Sequence, residues 1–295
     1  MSKTPWCVGA LLFCFPHVAR ARPFIRYDIR ISLPTLLLMG KNRYYVEALS
    51  RGLQILGVFS EESPSLSLTE IASSVGLDKS TTFRFAHTLE TLGYLERDAE
   101  TKQYRPGLQV LRLGFAALNS LEMAQIAQPY LKALSAESGE TTNMTVRDGA
   151  EIIYIARNRT RQLVGANLHV GSRLPVHCTC MGKAQLIDLS RQELVDLLGE
   201  GPYPKMGPNT ITTLDALVSE LDDVRRQGYA INDEELAAGL RAVAAPVRRH
   251  DGEIVAAINV SAPTARASRQ EIEHLLAPKV TEAAREISLA LGAGV

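Results

Sequence analysis

One short segment, Lys79 to His87, concentrates side chains that suit contacts with nucleic acid. If Thr82, Phe85 and Ala86 form the inner side of a helix, its outer side carries Lys79, Ser80, Thr81, Phe83, Arg84 and His87. Cations and hydroxyls donate hydrogen bonds to phosphates and base edges, and an aromatic ring contacts apolar parts of the bases. This combination predicts a helix that reads double-stranded DNA.

A second group of polar residues predicts a small-molecule site in the C-terminal half. Irregular segment 171–183 and the ends of later strands are placed to line a largely apolar cavity. The polar candidates are Arg173, His177, Thr179, Asn232, Asn259 and Ser261, and the apolar candidates are Leu174, Met181, Leu240 and Val260. Arg173 would suit a carboxylate. The alternative is that Arg173 pairs with an Asp or Glu of the protein itself.

Catalysis and metal binding have weaker support in the sequence. His177 and Cys178 are neighbours, so in an extended segment they point to opposite faces and do not form a base and nucleophile pair. The acidic run Asp233–Glu235 has no histidine near it, which favours a solvated or capping role. The glycine patterns of nucleotide-binding and hydrolase sites are missing. We therefore expect no enzyme activity, no cofactor and no metal.

The cysteine pattern indicates a reduced, cytoplasmic protein. The four cysteines, Cys7, Cys14, Cys178 and Cys180, form no CxxC pair and have no zinc-type spacing. In a strand, Cys178 and Cys180 would present both thiols on one face. A redox role is one interpretation of this pair, and two ordinary half-buried thiols are the other.

The elements that position the outer face of Lys79–His87 form a predicted three-helix core. Apolar residues recur at helical steps from Leu68 to Val75, Gly76 ends the pattern, and Asp78 is placed to cap the next helix. We expect an earlier helix to pack across both through its apolar stripe, Val46, Leu49, Leu53, Ile55, Leu56 and Phe59. The alternative is a packing or dimerisation module that does not contact DNA.

A β-wing is predicted directly after these helices. Segments Tyr94–Arg97 and Gln103–Arg105 read as short strands around a polar turn. Arg97, Lys102 and Arg105 would then straddle a phosphate backbone while the helix enters the major groove. However, residues 40–105 contain eight Lys and Arg against nine Asp and Glu, so no general basic field supports binding. Specific contacts and a second subunit must supply the affinity.

The rest of the chain predicts an α+β domain with an antiparallel sheet and helices packed on a face. Helical periodicity covers 108–118 and 123–134 and then changes to period two. The predicted strands are 142–146, 152–156, 162–170, 229–232, 241–247 and 254–261, and the predicted helices are 181–189, 191–198, 214–227 and 269–291.

These patterns divide the chain into four parts. Residues 1–40 form an extension that is disordered or precedes the true start at Met39. Residues 41–106 form the winged helix-turn-helix, residues 107–122 form a linker helix, and residues 123–295 form the effector-binding domain. Within the extension, the apolar run Trp6–Phe15 imitates a signal peptide but is too short to span a bilayer. An accessory arm and targeting are the other interpretations of this extension, and we expect no membrane partner.

Four stretches resemble the IclR family of bacterial transcription regulators. The first stretch resembles the family's winged helix and reads LSLTEIASSVGLDKSTTFRFAHTLETLGYLERDAETKQYRPG. The other three resemble segments of the family's effector domain and read VGSRLPVHCTCMGKA, INDEELAAGLRAVAAPV and AAINVSAP. The resemblance implies a homodimer or dimer of dimers, a palindromic operator, and a small organic acid in a GAF-like pocket. Ala242 and Asn232 stand where relatives carry cysteine and aspartate in that pocket, a departure that bears on the ligand contacts.

Other segments, including IAQPYL and VRDGAEIIYIAR, look most like the branch that regulates aromatic-acid breakdown through the β-ketoadipate route. That likeness implies an effector similar to protocatechuate or 4-hydroxybenzoate. We therefore expect a DNA-binding regulator, activator or repressor, controlled by a small carboxylic acid. The alternative is a small-molecule-binding protein or hydrolase-like enzyme with a non-functional helix-turn-helix.

Overall fold

The computed structural model describes residues 44–60, 63–120, 122–159 and 168–294. The chain divides into two compact units, with the boundary between Leu111 and Arg112. The predicted extension 1–40 lies outside the described residues, as does most of the strand predicted at 162–170. Among the helices that the structure describes, none is both long enough and apolar enough to cross a membrane.

The first unit contains the predicted helices and wing. The elements are α1 (Glu47–Leu56), α2 (Leu68–Val75), α3 (Lys79–Thr91), β1 (Leu95–Arg97) and β2 (Tyr104–Pro106), followed by α4 (Leu108–Ser120), which crosses the boundary. The two strands pair antiparallel, with Glu96 opposite Arg105. The small core consists of Ile55, Ile71, Ala86, Leu95 and Tyr104.

Local capping chemistry fixes where α2 and α3 begin and end. Ser67 and Glu70 form a reciprocal capping box at the start of α2, and Gly76 ends that helix in the left-handed conformation, with φ of 67°. Asp78 caps α3 by accepting a hydrogen bond from the backbone N–H of Thr81 at 2.9 Å. The turn between the helices is therefore specified by Gly76 and Asp78, two residues that the sequence shows directly.

The prediction for the apolar stripe of α1 is wrong for half of its residues. Ile55 is fully buried and Leu56 and Phe59 pack against the core, but Val46, Leu49 and Leu53 face outward. Leu49 is 63% exposed. Residues 46, 49 and 53 share one face of the helix, and residue 55 lies on another face. The predicted stripe therefore combined residues from two different faces of α1.

The second unit is built on a six-stranded antiparallel sheet with strand order β5-β4-β3-β8-β7-β6. The strands are β3 (Thr141–Asp148), β4 (Glu151–Asn158), β5 (Arg173–Pro175), β6 (Ala230–Asp233), β7 (Leu240–Arg248) and β8 (Ile254–Pro263). The predicted hairpin and the three later strands are present. The edge strand β5 was not predicted, because three residues are too few for an alternating pattern.

Helices cover both faces of this sheet, whereas the sequence indicated only one. On one face lie α5 (Glu122–Ser138) and the terminal helix, which comprises α9 (Arg269–Glu271), a π-helical turn (Ile272–Leu276) and α10 (Ala277–Ala290). On the other face lie α6 (Cys180–Leu186), α7 (Arg191–Leu198) and α8 (Leu214–Gln227). Successive strand residues point to opposite faces, so both layers take apolar side chains from the same strands.

Helix α6 lies very close to the segment before it. A 3₁₀ turn (Val176–Cys178) leads into Thr179, whose side chain accepts a hydrogen bond from the Gly182 N–H at 3.1 Å and caps the helix. All seven residues of α6 are buried. A Cβ atom on Gly182 would lie 2.3 Å from the Val176 carbonyl oxygen, so this position requires glycine.

We expect Gly182→Ala to lower the free energy of unfolding by about 1–3 kcal/mol, since the added methyl group collides with backbone that has no free space to move. The measurement is urea denaturation followed by circular dichroism. Gly114→Ala is the matched control: Gly114 is helical and no described atom lies within 4 Å of its added Cβ, so stability should stay constant or rise by about 0.5–1 kcal/mol. Equal stability of the two variants would contradict this reading of α6.

Candidate functional site

Helix α3 presents the predicted nucleic-acid face to solvent. Lys79, Ser80, Phe83, Arg84 and His87 are exposed, and Thr81 is half-buried next to the cap. The Arg84 guanidinium has no hydrogen bond or ion pair with any residue that the structure describes. It is therefore available to an external acceptor.

Two rings on this face lie against each other. The rings of Phe83 and His87 stack one helical turn apart, with centroids 5.9 Å apart and planes within 5°. Phe83 is 43% exposed although it is aromatic. Glu90 holds the far side of the imidazole at 3.7 Å from Nδ1. The pair forms a flat apolar surface beside Arg84, which suits van der Waals contact with base edges.

The cap of α3 keeps a negative charge at the helix start. Hydrogen bonds from the backbone and side chain of Thr81 hold the pKa of Asp78 below its usual range. The ionised carboxylate stabilises the positive end of the helix dipole.

The wing residues occupy three different environments. Arg97 lies over the ring of buried Tyr104, with Cζ 5.4 Å from the ring centroid. Lys102 is exposed at the turn with a positive φ of 58°. Arg105 donates to Glu96 from Nη2 at 2.8 Å and from Nε at 3.1 Å, as expected for directly opposite residues in a ladder. Glu96 thus neutralises one of the three cations predicted to contact phosphate.

In the second unit, the sheet brings together five of the predicted effector residues. Asn232, Ala242 and Ser261 are direct cross-strand neighbours on β6, β7 and β8. Asn259 lies in the next row of the same face, opposite Ala244 on one side and Asn143 on the other. Leu240 lies on this face too, partly buried and two residues before Ala242. This face is covered by α6.

Hydrogen bonds hold the polar members of this face in place. Asn232 donates from Nδ2 to the Cys178 carbonyl at 2.7 Å and accepts from the Glu235 N–H at 3.3 Å. Asn259 accepts from Asn143 Nδ2 at 2.7 Å. Ser261 donates to the Thr141 carbonyl at 3.5 Å. The face therefore combines a polar ladder with small side chains at Ala242 and Ala244.

The predicted residues from the loop before α6 are buried and engaged within the protein. Thr179 caps α6, and Met181 is part of the core beside the sheet. His177 Nε2 donates to the Pro204 carbonyl at 3.0 Å, and its ring lies 5.3 Å from that of Tyr203. Burial lowers the pKa of His177, which favours the neutral imidazole.

Two expectations for the small-molecule cavity change. Arg173 lies at the exposed edge strand and donates to Glu151 at 2.7 Å and Asp148 at 2.6 Å, which is the alternative that the sequence left open. Val260 belongs to the core on the opposite side of the sheet, because it alternates with Asn259 and Ser261 along β8.

The two neighbouring thiols are fully buried rather than half-buried. Cys178 lies in the 3₁₀ turn and Cys180 starts α6, so they are not on one strand face. Burial raises the pKa of Cys178 to about 12 and that of Cys180 to about 11. Thiols held in the protonated form are poor nucleophiles, so they act as small core residues.

The acidic run at the end of β6 stabilises the fold through three different contacts. Asp233 pairs with Arg241 at 2.6 Å, Glu234 accepts from the Gly239 N–H at 2.9 Å, and Glu235 pairs with Lys183. Within the described residues, no cluster of His, Cys, Asp and Glu is arranged to hold a metal ion.

Lys183 is a structurally central residue that sequence reasoning missed. Its side chain is 0% exposed, and its ammonium donates to Glu235 at 2.6 Å, Glu220 at 2.7 Å and the Ile231 carbonyl at 2.6 Å. These contacts join α6 to α8 and to β6 together with the loop that follows it. The signal available in the sequence was the largely apolar run on both sides of Lys183, which is typical of a helix that is buried on all sides.

Comparison with known proteins connects both units to one family. The model of the IclR helix-turn-helix domain matches residues 48–99, and that of the bacterial transcriptional regulator IclR C-terminal domain matches residues 115–289. The HTH-type transcriptional regulator XynR of Escherichia coli is 34% identical over 247 residues, covering 84% of this chain and 98% of that protein.

Two further relatives are similar over comparable lengths. The Pca regulon regulatory protein of Pseudomonas putida is 34% identical, covering 82% of this chain and 83% of that protein. A crystal structure of an IclR homolog from Microbacterium hydrocarbonoxydans, complexed with 4-hydroxybenzoate, has a TM-score of 0.71 at 25% identity, covering 83% of this chain and 98% of that one. The named relatives are regulators, so the expectation of a non-enzyme is confirmed and the hydrolase alternative is set aside.

We expect Lys183→Met to lower the free energy of unfolding by about 3–5 kcal/mol, because it leaves the buried Glu235 carboxylate without its cation. The matched control is Lys279→Met, which removes an exposed lysine 4.0 Å from Glu137 and should cost at most about 1 kcal/mol. Chemical denaturation of both variants measures the difference. Adding Glu235→Gln to Lys183→Met should restore part of the loss, and no restoration would mean that packing rather than charge dominates.

Proposed function

Because this chain belongs to the IclR family of bacterial transcriptional regulators, a DNA-binding family, we propose that it binds a palindromic operator as a homodimer or dimer of dimers and that a small aromatic carboxylic acid controls its affinity. The observation that carries the DNA part is the outer face of α3. That face combines an arginine without a partner among the described residues, the exposed hydroxyl group of Ser80 and a flat pair of rings, all accessible to a groove.

We assign the DNA contacts by position on α3 and the wing. Lys79, Ser80 and Thr81 lie in the first turn of α3, where side-chain hydroxyls and a cation suit phosphates. Arg84, Phe83 and His87 lie further along and suit base edges. Arg97 and Lys102 suit the phosphate backbone, and Arg105 joins them if phosphate competes with Glu96.

The dimer is supported by apolar side chains that the first unit leaves uncovered. Val46, Leu49 and Leu53 on α1 are exposed, as are Leu108 and Leu111 at the start of α4. Exposed apolar groups of this size are typical of a protein-protein contact. A two-fold dimer presents two α3 helices to two half-sites, which offsets the lack of a basic field in one subunit.

The effector assignment is supported by two relatives and limited by a third. The Pca regulon regulator and the homolog complexed with 4-hydroxybenzoate favour an aromatic acid similar to protocatechuate or 4-hydroxybenzoate. XynR, equally similar to this chain, bears a different name. We place the effector against the sheet face under α6, with Asn232, Leu240, Ala242, Asn259 and Ser261 as lining residues and His177, Thr179 and Met181 shaping one wall.

Control by the effector follows from linkage. If DNA binding raises the protein's affinity for the acid by some factor, the acid raises the affinity for the operator by the same factor. An acid that prefers the arrangement that does not bind DNA lowers the operator affinity. Activation and repression therefore need the same site and differ only in the sign of this preference.

We expect Arg84→Ala to weaken binding to the operator by about 10- to 100-fold and binding to random duplex by much less, since a base contact is lost. Footprinting upstream of the chain's own gene locates the operator, and gel-shift titration on both duplexes measures the ratio. Arg97→Ala is the control: it should weaken both equally and lower the salt slope by about one. Equal losses for Arg84→Ala would make Arg84 a phosphate contact.

We expect Leu49→Lys to weaken self-association at least about tenfold, because a charge would be buried in the apolar α1 contact. Sedimentation equilibrium over a concentration series gives the association constant. Leu275→Lys is matched in exposure, at 59% against 63%, and lies on the second unit's terminal helix, away from α1 in sequence. Dimers of unchanged affinity in the Leu49 variant would exclude this face as the interface.

A further inference from the structure

Two buried polar atoms on the sheet face under α6 have no hydrogen-bond partner among the residues that the structure describes. They are Nε of Arg157, a donor, and Oδ1 of Asn143, an acceptor. Asn143 and Arg157 are direct neighbours across β3 and β4, and Asn259 follows on β8, so the three side chains form one row. Unpaired buried polar groups cost free energy, and proteins satisfy nearly all of them.

A β-bulge is what turns Arg157 toward this row. The register between β3 and β4 shifts at Met144 and Thr145, so that Tyr154 lies opposite Thr145 and Arg157 lies opposite Asn143. Ile155 and Ala156 consequently both pack into the opposite core. In a regular strand, Tyr154 and Arg157 would point to different faces. Bulges of this kind re-aim side chains next to functional sites.

The guanidinium of Arg157 has no counter-charge within the described protein. It makes no ion pair there, although twelve other described arginines are paired. Burial is the main cause that lowers its pKa, and its neighbours include Tyr154, whose pKa burial raises. The charge of Arg159 also lowers the pKa of Arg157. A half-buried cation with a second cation nearby and no carboxylate partner among the described residues is matched by an anionic ligand.

We propose that Arg157 binds the carboxylate of the effector and that Asn143 Oδ1 accepts a hydrogen bond from a hydroxyl group of the same molecule. The site thus selects small hydroxylated carboxylic acids over acids without a hydroxyl group. This assignment rests on the proposed function, since it places the anchor in the effector site, and it replaces Arg173 as the carboxylate contact.

The contrast between the two arginines supports this assignment. Arg173 is held by two carboxylates at the exposed edge of the sheet, and an effector there would have to displace both. Arg157 lies one strand further in, directly opposite Asn143, whose hydrogen bond to Asn259 continues the polar row toward β7. A ligand on Arg157 would therefore touch the polar row, and a ligand on Arg173 would lie at the edge of the sheet.

Calorimetric titration of the full chain with 4-hydroxybenzoate, 3,4-dihydroxybenzoate and benzoate tests the anchor. We expect the wild type to bind the hydroxylated acids, and both Arg157→Gln and Arg157→Met to weaken that binding by about 10- to 100-fold. Arg157→Lys should retain part of the affinity. Arg173→Gln, the matched control, should stay within about twofold. Thermal melting checks that each variant is folded, and removal of an unpaired buried cation should not lower stability.

The hydroxyl contact has its own readout. The wild type should prefer 4-hydroxybenzoate to benzoate, and Asn143→Ala should abolish this preference while benzoate affinity is retained. If the wild type binds the acids and the Arg157 variants bind them equally well, the anchor is overturned and the proposed function stands. If the wild type binds none of them, both the aromatic effector and its anchor are overturned.

Discussion

The buried ammonium of Lys183 sets the geometry on which the second unit depends. An unpaired charge at 0% exposure would be very costly, so Glu235, Glu220 and the Ile231 carbonyl must converge on one point. That convergence fixes α6 against β6 and α8. Because α6 is buried along its whole length, its position in turn determines where Thr179, Cys180 and Met181 meet the sheet. The polar row beneath is thus framed by an electrostatic contact rather than by apolar packing alone.

The first unit is organised by a different constraint. Its core is small, and capping groups at Ser67, Gly76 and Asp78 supply much of the local specification. Because these caps specify the helix ends, the core of the first unit does not include the outer face of α3. Arg84 and the stacked rings of Phe83 and His87 lie outside that core. The exposed apolar side chains of the α1 region, Val46, Leu49 and Leu53, fit this division, since they lie outside the core of the first unit.

Sequence patterns predicted the helices and strands whose positions depend on residues close together in the chain. The predicted helix 214–227 matches α8, which Thr213 caps at its start and Gly228 ends, and strands β6 to β8 followed from alternation. The clustering of Asn232, Asn259 and Ser261 on one face was accessible for the same reason. What could not be predicted depends on contacts distant in sequence. The bulge that turns Arg157, the acidic partners of Lys183 and the carboxylates around Arg173 are set by tertiary neighbours, and α1 was misread because no local pattern says which of its apolar faces is covered.

The carboxylate that caps α3 has a consequence for how the helix can approach a duplex. A free helix start is a ready binding site for phosphate, but Asp78 fills this position with its own negative charge. A DNA strand running across that end would meet repulsion, whereas one displaced toward the hydroxyls and Arg84 would not. The cap thereby restricts the angle at which α3 can dock on DNA. It favours orientations in which the side of the helix, and not its N-terminal end, lies in the groove, and it does so without contacting a base.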